Sequence, residues 1–335
     1  MWQAAGAILR SGGLVAFPTE TVYGLGADAL DAAASRKIYE AKGRPSDNPL
    51  IVHIADIHML SRLAKDIPDA AWKLAERFWP GPLTMILKKS GIIPYGTTGG
   101  LDTVAVRMPS HPVAMKLIQV SGVCVAAPSA NTSGRPSPTR AEHVIEDMDG
   151  KIDMILDGGE VGIGIESTIV DLTGDVPMIL RPGYITKDML SQVVGPVTVD
   201  PAILGENSDK DFHPKAPGMK YKHYAPKGDL TLVEGPEEKV VEKIRELTAK
   251  KLAMGCKVGI IATEETKDAY DRGMVVSIGS RHDEAAIIHN LYHILREMDR
   301  LGADHIYSES FSEGTRGQAI MNRLLKAAGH QVIRV

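Results

Sequence analysis

Short apolar runs and amphipathic stretches succeed one another along almost the whole chain. Apolar residues at three- and four-residue spacing predict helices over 1–11, 31–41, 57–66, 69–78, 112–120 and 186–193. Asp31 is placed to cap the second of these. Apolar runs bounded by glycine, proline or polar residues predict strands over 14–18, 50–54, 83–87, 103–107, 123–127, 152–156, 167–172, 177–181 and 197–199. Strands and helices mix without strict alternation, so the pattern predicts a mixed-sheet α/β domain. The pattern then breaks. Polar and charged residues fill 201–212, and His213 to Pro226 holds Pro214, Pro217, Gly218 and Pro226, which reads as an extended linker. From 229 a regular succession returns: strand 229–233, helix 236–252, strands 257–262 and 274–278, helix 282–299, strand 304–307 and helix 315–328. The expected division is a main domain over 1–205, a linker over 206–228 and a small Rossmann-like α/β domain over 229–335.

Composition narrows this picture. The 335 residues exceed one typical core, in line with two domains. A net charge of -4 and a pI near 6.3 argue against broad nucleic-acid binding and leave room for a local basic cleft. Cys124 and Cys256 are the two cysteines. They lie far apart in the chain and form neither a zinc ribbon nor a disulfide framework. A reducing, cytoplasmic setting is expected. No apolar run reaches membrane-spanning length, and the first residues lack a basic, then apolar, leader.

Several patterns are read as structural. Gly24-Leu25-Gly26-Ala27-Asp28-Ala29 matches the dinucleotide spacing only loosely, because polar residues separate it from the strand before it, and it is read as a tight glycine turn. His289 and His293 lie one helical turn apart without a neighbouring glutamate or a third ligand, and are read as ordinary helix surface. Cys124 sits among Val123, Val125 and Ala126 and is read as core. No P-loop or nucleophile elbow is present.

Polar groups nevertheless gather at strand ends. Thr19, Glu20 and Thr21 follow the first strand. Lys42-Gly43-Arg44-Pro45-Ser46-Asp47-Asn48-Pro49 forms a loop before the strand that ends near His53. Arg107 closes another strand, Ser129, Asn131 and Ser137 follow a further one, Ser167 opens one, and Arg181 ends one. Ligands of open α/β sheets collect where strand ends meet loops. Each arginine alone reads as a rim charge; three at three such ends suggest a cleft for a triphosphate and a carboxylate.

The stretches Phe17-Pro18-Thr19-Glu20-Thr21-Val22-Tyr23-Gly24-Leu25-Gly26, Lys42-Gly43-Arg44-Pro45, Pro128-Ser129-Ala130-Asn131 and Ser167-Thr168-Ile169-Val170-Asp171 resemble the YrdC-like threonylcarbamoyl-AMP synthase family. The paired Lys-x-Arg and Ser-x-Asn signature is intact at Lys42/Arg44 and Ser129/Asn131, and the linker and 229–335 are similar to the long, two-domain form. The resemblance implies a YrdC-like twisted mixed sheet around a positive cavity. It implies a nucleotidyltransferase that joins L-threonine, bicarbonate or CO2 and ATP into threonylcarbamoyl-AMP with release of pyrophosphate. A threonylcarbamoyl transferase complex would then modify tRNA, which the enzyme itself could contact. Carried over residue by residue, the resemblance implies threonine contacts at Thr21, His53, Arg107, the backbone at Ala127, and Ser167. It implies ATP contacts at Arg44, Asn48, Thr103, Ser129, Ser137, Arg181 and Tyr224, with Lys42 and Asn131 completing the catalytic set.

The residue types suit that chemistry. An N-carboxy anion must approach the α-phosphate of ATP, so cations matter more than a covalent nucleophile. Mg2+ is expected to be held mainly by the ATP phosphates, without a protein metal cage. The linker, with Lys215, Lys220, Tyr221, Lys222 and Tyr224, suits a lid over a water-sensitive intermediate; as the plainer alternative it is a tether. Two other functions compete. Carbamoyl-adenylate formation for hydrogenase maturation belongs to a relative with zinc-finger cysteines and an acylphosphatase domain; two isolated cysteines and the present length argue against it. A double-stranded RNA or ribosome-associated binding module would use the same basic cavity, against the acidic pI.

Overall fold

The computed structural model describes residues 1–203, 223–311 and 314–335. These form two compact units. One comprises Met1–Ser133, Ser137–Gly162 and the described residues from Glu166 to 203. The other comprises Gly134–Pro136, Ile163–Ile165 and the described residues from 223 onward.

The first unit begins with helix α1 (Trp2–Arg10) and the hairpin β1 (Val15–Pro18) and β2 (Tyr23–Asp28), followed by α2 (Ala32–Lys42) and β3 (Ile51–His53). Next come α3 (Leu60–Leu63), α4 (Asp69–Phe78), β4 (Leu83–Lys88), α5 (Tyr95–Thr98), β5 (Thr103–Arg107), α6 (Pro112–Ser121) and β6 (Val125–Ala126). The unit closes with α7 (Ala141–Met148), β7 (Met154–Ile155), β8 (Thr168–Asp171), β9 (Met178–Arg181), α8 (Lys187–Val194) and β10 (Thr198–Val199). The strands form one ten-stranded sheet in the order β10-β9-β8-β4-β5-β3-β6-β2-β1-β7, with parallel and antiparallel pairs mixed. This is the mixed α/β architecture that the sequence pattern predicts. Asp31 caps α2 as expected, its carboxylate accepting from the Ala33 amide at 2.8 Å.

The two faces of this sheet are packed differently. Strand alternation turns Val52, Met85, Leu87, Val104 and Val106 toward a large core shared with residues of α2, α4 and α8. The opposite side chains of the same strands, Ile51, Ile86, Ala105 and Ile169, join Leu180 in a cluster drawn from strand residues alone. No helix residue belongs to that small cluster.

Gly24 and Gly26 do not form the turn read from the sequence. Both lie inside β2, Gly24 opposite Phe17 and Gly26 opposite Val15. What matters is their lack of a side chain: a Cβ at Gly26 would lie 2.7 Å from Val125 Cγ1 and 2.8 Å from Phe17 Cε1. The chain turns earlier, at Thr19 to Val22. Cys124 is a core residue, as read, and burial pushes its thiol up to about 11.

The second unit contains β11 (Asp229–Glu234), α9 (Glu237–Ala253), β12 (Val258–Ala262), β13 (Met274–Ser277), α10 (Glu284–Leu301), β14 (His305–Glu309), α11 (Gly317–Ala327) and β15 (Val332–Arg334). Its sheet is wholly parallel, in the order β13-β12-β14-β11-β15. His289 and His293 lie on α10 in half-buried positions rather than on an open surface. Of the linker read as a lid, 206–222 lies outside the described residues, including Lys215, Lys220, Tyr221 and Lys222.

If Gly26 is space-limited, Gly26→Ala should cost about 1–3 kcal/mol of stability by overpacking, measured by urea denaturation. An unchanged midpoint would show that Val125 and Phe17 yield freely.

Candidate active site

Register lines up the central groups. Across neighbouring strands, Arg181 pairs with Ile169, Ile169 with Thr84, Thr84 with Arg107, and Arg107 with His53. Four of these five positions are polar or charged and all five are buried. They cross β9, β8, β4, β5 and β3 in one row.

Arg107 dominates the row. It is 4% exposed, and its Nη2 donates to Glu20 Oε1 at 2.7 Å and its Nη1 to Thr21 Oγ1 at 2.9 Å. Its Nε is buried and has no partner. Thr21 is fixed in turn by Thr19, whose hydroxyl lies 2.8 Å away and also donates to the Val22 carbonyl. The β1–β2 turn therefore delivers a hydroxyl and a carboxylate to one guanidinium. Glu20 Oε2 also accepts from the Ser110 amide, which follows β5.

His53 lies beside Arg107 with its Nδ1 3.1 Å from the Ile51 carbonyl, which places the proton on that nitrogen. Burial, then the Arg107 guanidinium, push its pKa down to about 3. The imidazole is therefore neutral at neutral pH. At the other end of the row, Arg181 Nη2 donates to Ser167 Oγ at 3.2 Å and its Nε to the Ser167 carbonyl at 3.1 Å. Ser167 Oγ is also 2.8 Å from Thr84 Oγ1.

A second group lies where α2 ends. Gly43 takes the left-handed conformation there (φ 60°) and lets the chain leave the helix. Lys42 Nζ donates to the Ser129 carbonyl at 2.5 Å and to the Asn131 carbonyl. Ser129 Oγ donates to Asn131 Oδ1 at 2.6 Å. The two halves of the Lys-x-Arg and Ser-x-Asn signature are thus one hydrogen-bonded unit. Arg44 Nη2 donates to the carbonyls of Asn48 and Pro49 at 3.3 and 3.2 Å. Asn48 is buried, and its Oδ1 has no partner. Ala127 donates its amide to the Ile51 carbonyl at 2.8 Å, and Ser137 Oγ donates to Glu166 Oε1 at 2.5 Å.

One of the sequence candidates stands apart from these groups. Thr103 opens β5, four residues before Arg107 and in register with Lys88; that is about 13 Å along an extended strand. Tyr224 belongs to the second unit. Reading the sequence missed Thr84 and Glu166. Thr84 lies inside an apolar strand, and only its alternation with Met85 and Leu87 could have marked it as facing the other way.

The family profile described as telomere recombination, which groups Sua5, YciO and YrdC proteins, matches residues 7–183. A second, the threonylcarbamoyl-AMP synthase C-terminal domain, matches residues 185–329. The threonylcarbamoyl-AMP synthase of Pyrococcus abyssi is 53% identical over 331 residues, 99% of this chain and 95% of that protein.

The chain belongs to the threonylcarbamoyl-AMP synthase family.

The Bacillus subtilis synthase is 51% identical over 98% of this chain and 93% of its own length. The crystal structure of P. abyssi Sua5 complexed with L-threonine matches with a TM-score of 0.93 at 52% identity, covering 100% of this chain and 96% of that one. A threonylcarbamoyl-AMP synthase is an enzyme, which decides against the reading as a binding module. No helix among the described residues is long and apolar enough to cross a membrane.

The His53 environment sets a pH dependence. Unfolded, the imidazole takes up a proton near its ordinary value of 6.5; folded, it stays neutral to about 3. Between those values the unfolded chain binds the extra proton, so stability falls as pH drops from 6.5 toward 3. In imidazole NMR, the His53 resonance should hold its neutral position down to pH 5; a midpoint near 6.5 would contradict the burial argument.

Proposed function

We propose that this synthase binds L-threonine along the Arg107 row and ATP beside the Lys42 unit, and joins them with bicarbonate or CO2. Thr21, His53, Arg107, the backbone at Ala127, and Ser167 take the amino acid. Arg44, Asn48, Thr103, Ser129, Ser137 and Arg181 take the nucleotide. The observation that carries this reading is Arg107: a buried cation with an unpartnered Nε–H beside a neutral imidazole. A carboxylate suits that donor. A neutral His53 can hydrogen-bond the amino acid without adding a second charge to the guanidinium's surroundings. The bound P. abyssi Sua5 supports threonine as the amino acid.

The reaction is then a transfer between anions. The threonine amine loses a proton and forms its N–C bond to CO2. A carbamate oxygen attacks the α-phosphorus, and the bond to the β-phosphate breaks, releasing pyrophosphate. Lys42 and Arg44 are the cations of the signature unit and would offset the charge that builds on the phosphates. The donors around the signature are cationic or neutral: Lys42, Arg44, Ser129 and Asn131. That set fits a magnesium ion carried by the phosphates rather than by carboxylates. Asn48 Oδ1, buried and unpartnered, is suited to accept from a metal-bound water. Hydrogen bonds from Thr21 and Ser167 would reward the threonine hydroxyl and disfavour analogues without one. The product would pass to a transferase that modifies tRNA, and the free thiols of Cys124 and Cys256 support a reducing, cytoplasmic setting.

Pyrophosphate release should require threonine and bicarbonate together; release that ignored threonine would refute the reading. Arg44→Ala should lower kcat/KM by about 10²–10³-fold while circular dichroism remains that of the folded enzyme. Near-normal turnover in that variant would remove Arg44 from the phosphate site.

A further inference from the structure

Helix α10 receives three separate chain segments of the second unit on one stripe. At its first turns, Gly164 lies against the backbone: a Cβ there would come 2.6 Å from the Ile288 carbonyl oxygen and 2.7 Å from His289 Cα, and its φ is +103°. One turn on, Tyr292 stacks on Tyr224 with ring centroids 5.2 Å apart. A further turn on, Arg296 donates from Nη2 to the Pro136 carbonyl at 2.7 Å. Near the helix end, Asp299 accepts from the Lys227 amide at 2.6 Å and lies 3.5 Å from Arg135 Nη2. Positions 289, 292, 296 and 299 step by three and four, which is one face of a helix.

The segments held are short and sit at particular places in the chain. Gly134–Pro136 lies between Asn131 and Ser137, so the chain leaves the Ser-x-Asn signature, meets α10, and continues at once to Ser137. Ile163–Ile165 runs directly into Glu166 and Ser167. Tyr224 lies in the described end of the linker, buried with φ +66°. A bulky residue takes that conformation only where its surroundings impose it. Tyr292, His223 and the Arg323 guanidinium, 6.0 Å from the ring centroid, supply those surroundings. Arg296 is 1% exposed, and a buried arginine spent on a backbone carbonyl fixes that carbonyl's direction.

We infer that α10 is a positioning element for the nucleotide side of the site, acting chiefly through Arg296 on the loop that carries Ser129, Asn131 and Ser137. The inference rests on the reading of those three residues as ATP-side groups. It gives the C-terminal domain a role in the first reaction itself, separate from any contact with tRNA or a transferase.

The test is calorimetric binding of ATP and of L-threonine, separately, to the full chain. Arg296→Gln should weaken ATP binding about tenfold, the low end for losing a charged hydrogen bond, and leave threonine affinity within about twofold. Arg296→Lys should recover most of the ATP affinity, and Asp299→Ala should weaken ATP about threefold by the same route. ATP affinity equal to wild type in Arg296→Gln and Asp299→Ala would overturn the inference, as would equal losses for both ligands. Should Arg296→Gln fail to fold, Asp299→Ala decides by the same criteria. Wild-type chain that binds ATP without threonine-dependent pyrophosphate release would instead refute the functional reading and leave the ATP comparison intact.

Discussion

The site depends on one buried cation. Arg107 stands in the middle of a ten-stranded sheet with 5% of its side chain exposed, paired to a Glu20 that is 13% exposed. Taking both charges out of water costs several kcal/mol per ion, and removing one partner of such a pair typically costs about 3–5 kcal/mol. That arrangement survives because a four-residue turn supplies two oxygens at once, the carboxylate of Glu20 and the hydroxyl of Thr21. It also sets the state of its neighbour, since the guanidinium adds to burial in keeping His53 neutral. Two groups that would both be cations at mildly acidic pH therefore stand side by side with a single charge.

The rest of the first unit serves that placement. Parallel pairing of β3 with β5 brings His53 level with Arg107, and antiparallel pairing of β4 with β5 does the same for Thr84. A one-residue slip would turn every one of these side chains into the core. Helices cover the other face of those strands, which leaves a cluster of strand residues and the polar row together on the opposite face. Lys42 then ties the end of α2 to the Ser129–Asn131 loop through two carbonyls, so the two halves of the signature are held together.

Most of this was legible in the sequence, for identifiable reasons. Arginines at the ends of apolar strands are conspicuous, and the lysine, arginine, serine and asparagine of the signature come at fixed spacing. Long helices with clear periodicity, such as α4 and α10, were expected close to where they lie. What failed to show has physical causes. Gly24 and Gly26 read as a turn because glycine is usually chosen for its backbone freedom, whereas here it makes room for Phe17 and Val125. Thr84 was lost in an apolar run. Short elements such as α5, α7 and β15 carry too few residues to establish a period, and β2 was hidden by its glycines. Nor does the pattern reveal that Gly134–Pro136 and Ile163–Ile165 belong with the second unit, because that depends on packing between distant segments.

The central claim, that Arg107 receives the amino-acid carboxylate, is tested most directly by threonine binding to Arg107→Met in a calorimeter, with ATP binding as the control. Loss of a charged, buried hydrogen-bond pair predicts at least about a hundredfold weaker threonine binding with ATP affinity retained. Threonine affinity equal to wild type in a folded Arg107→Met would contradict the account.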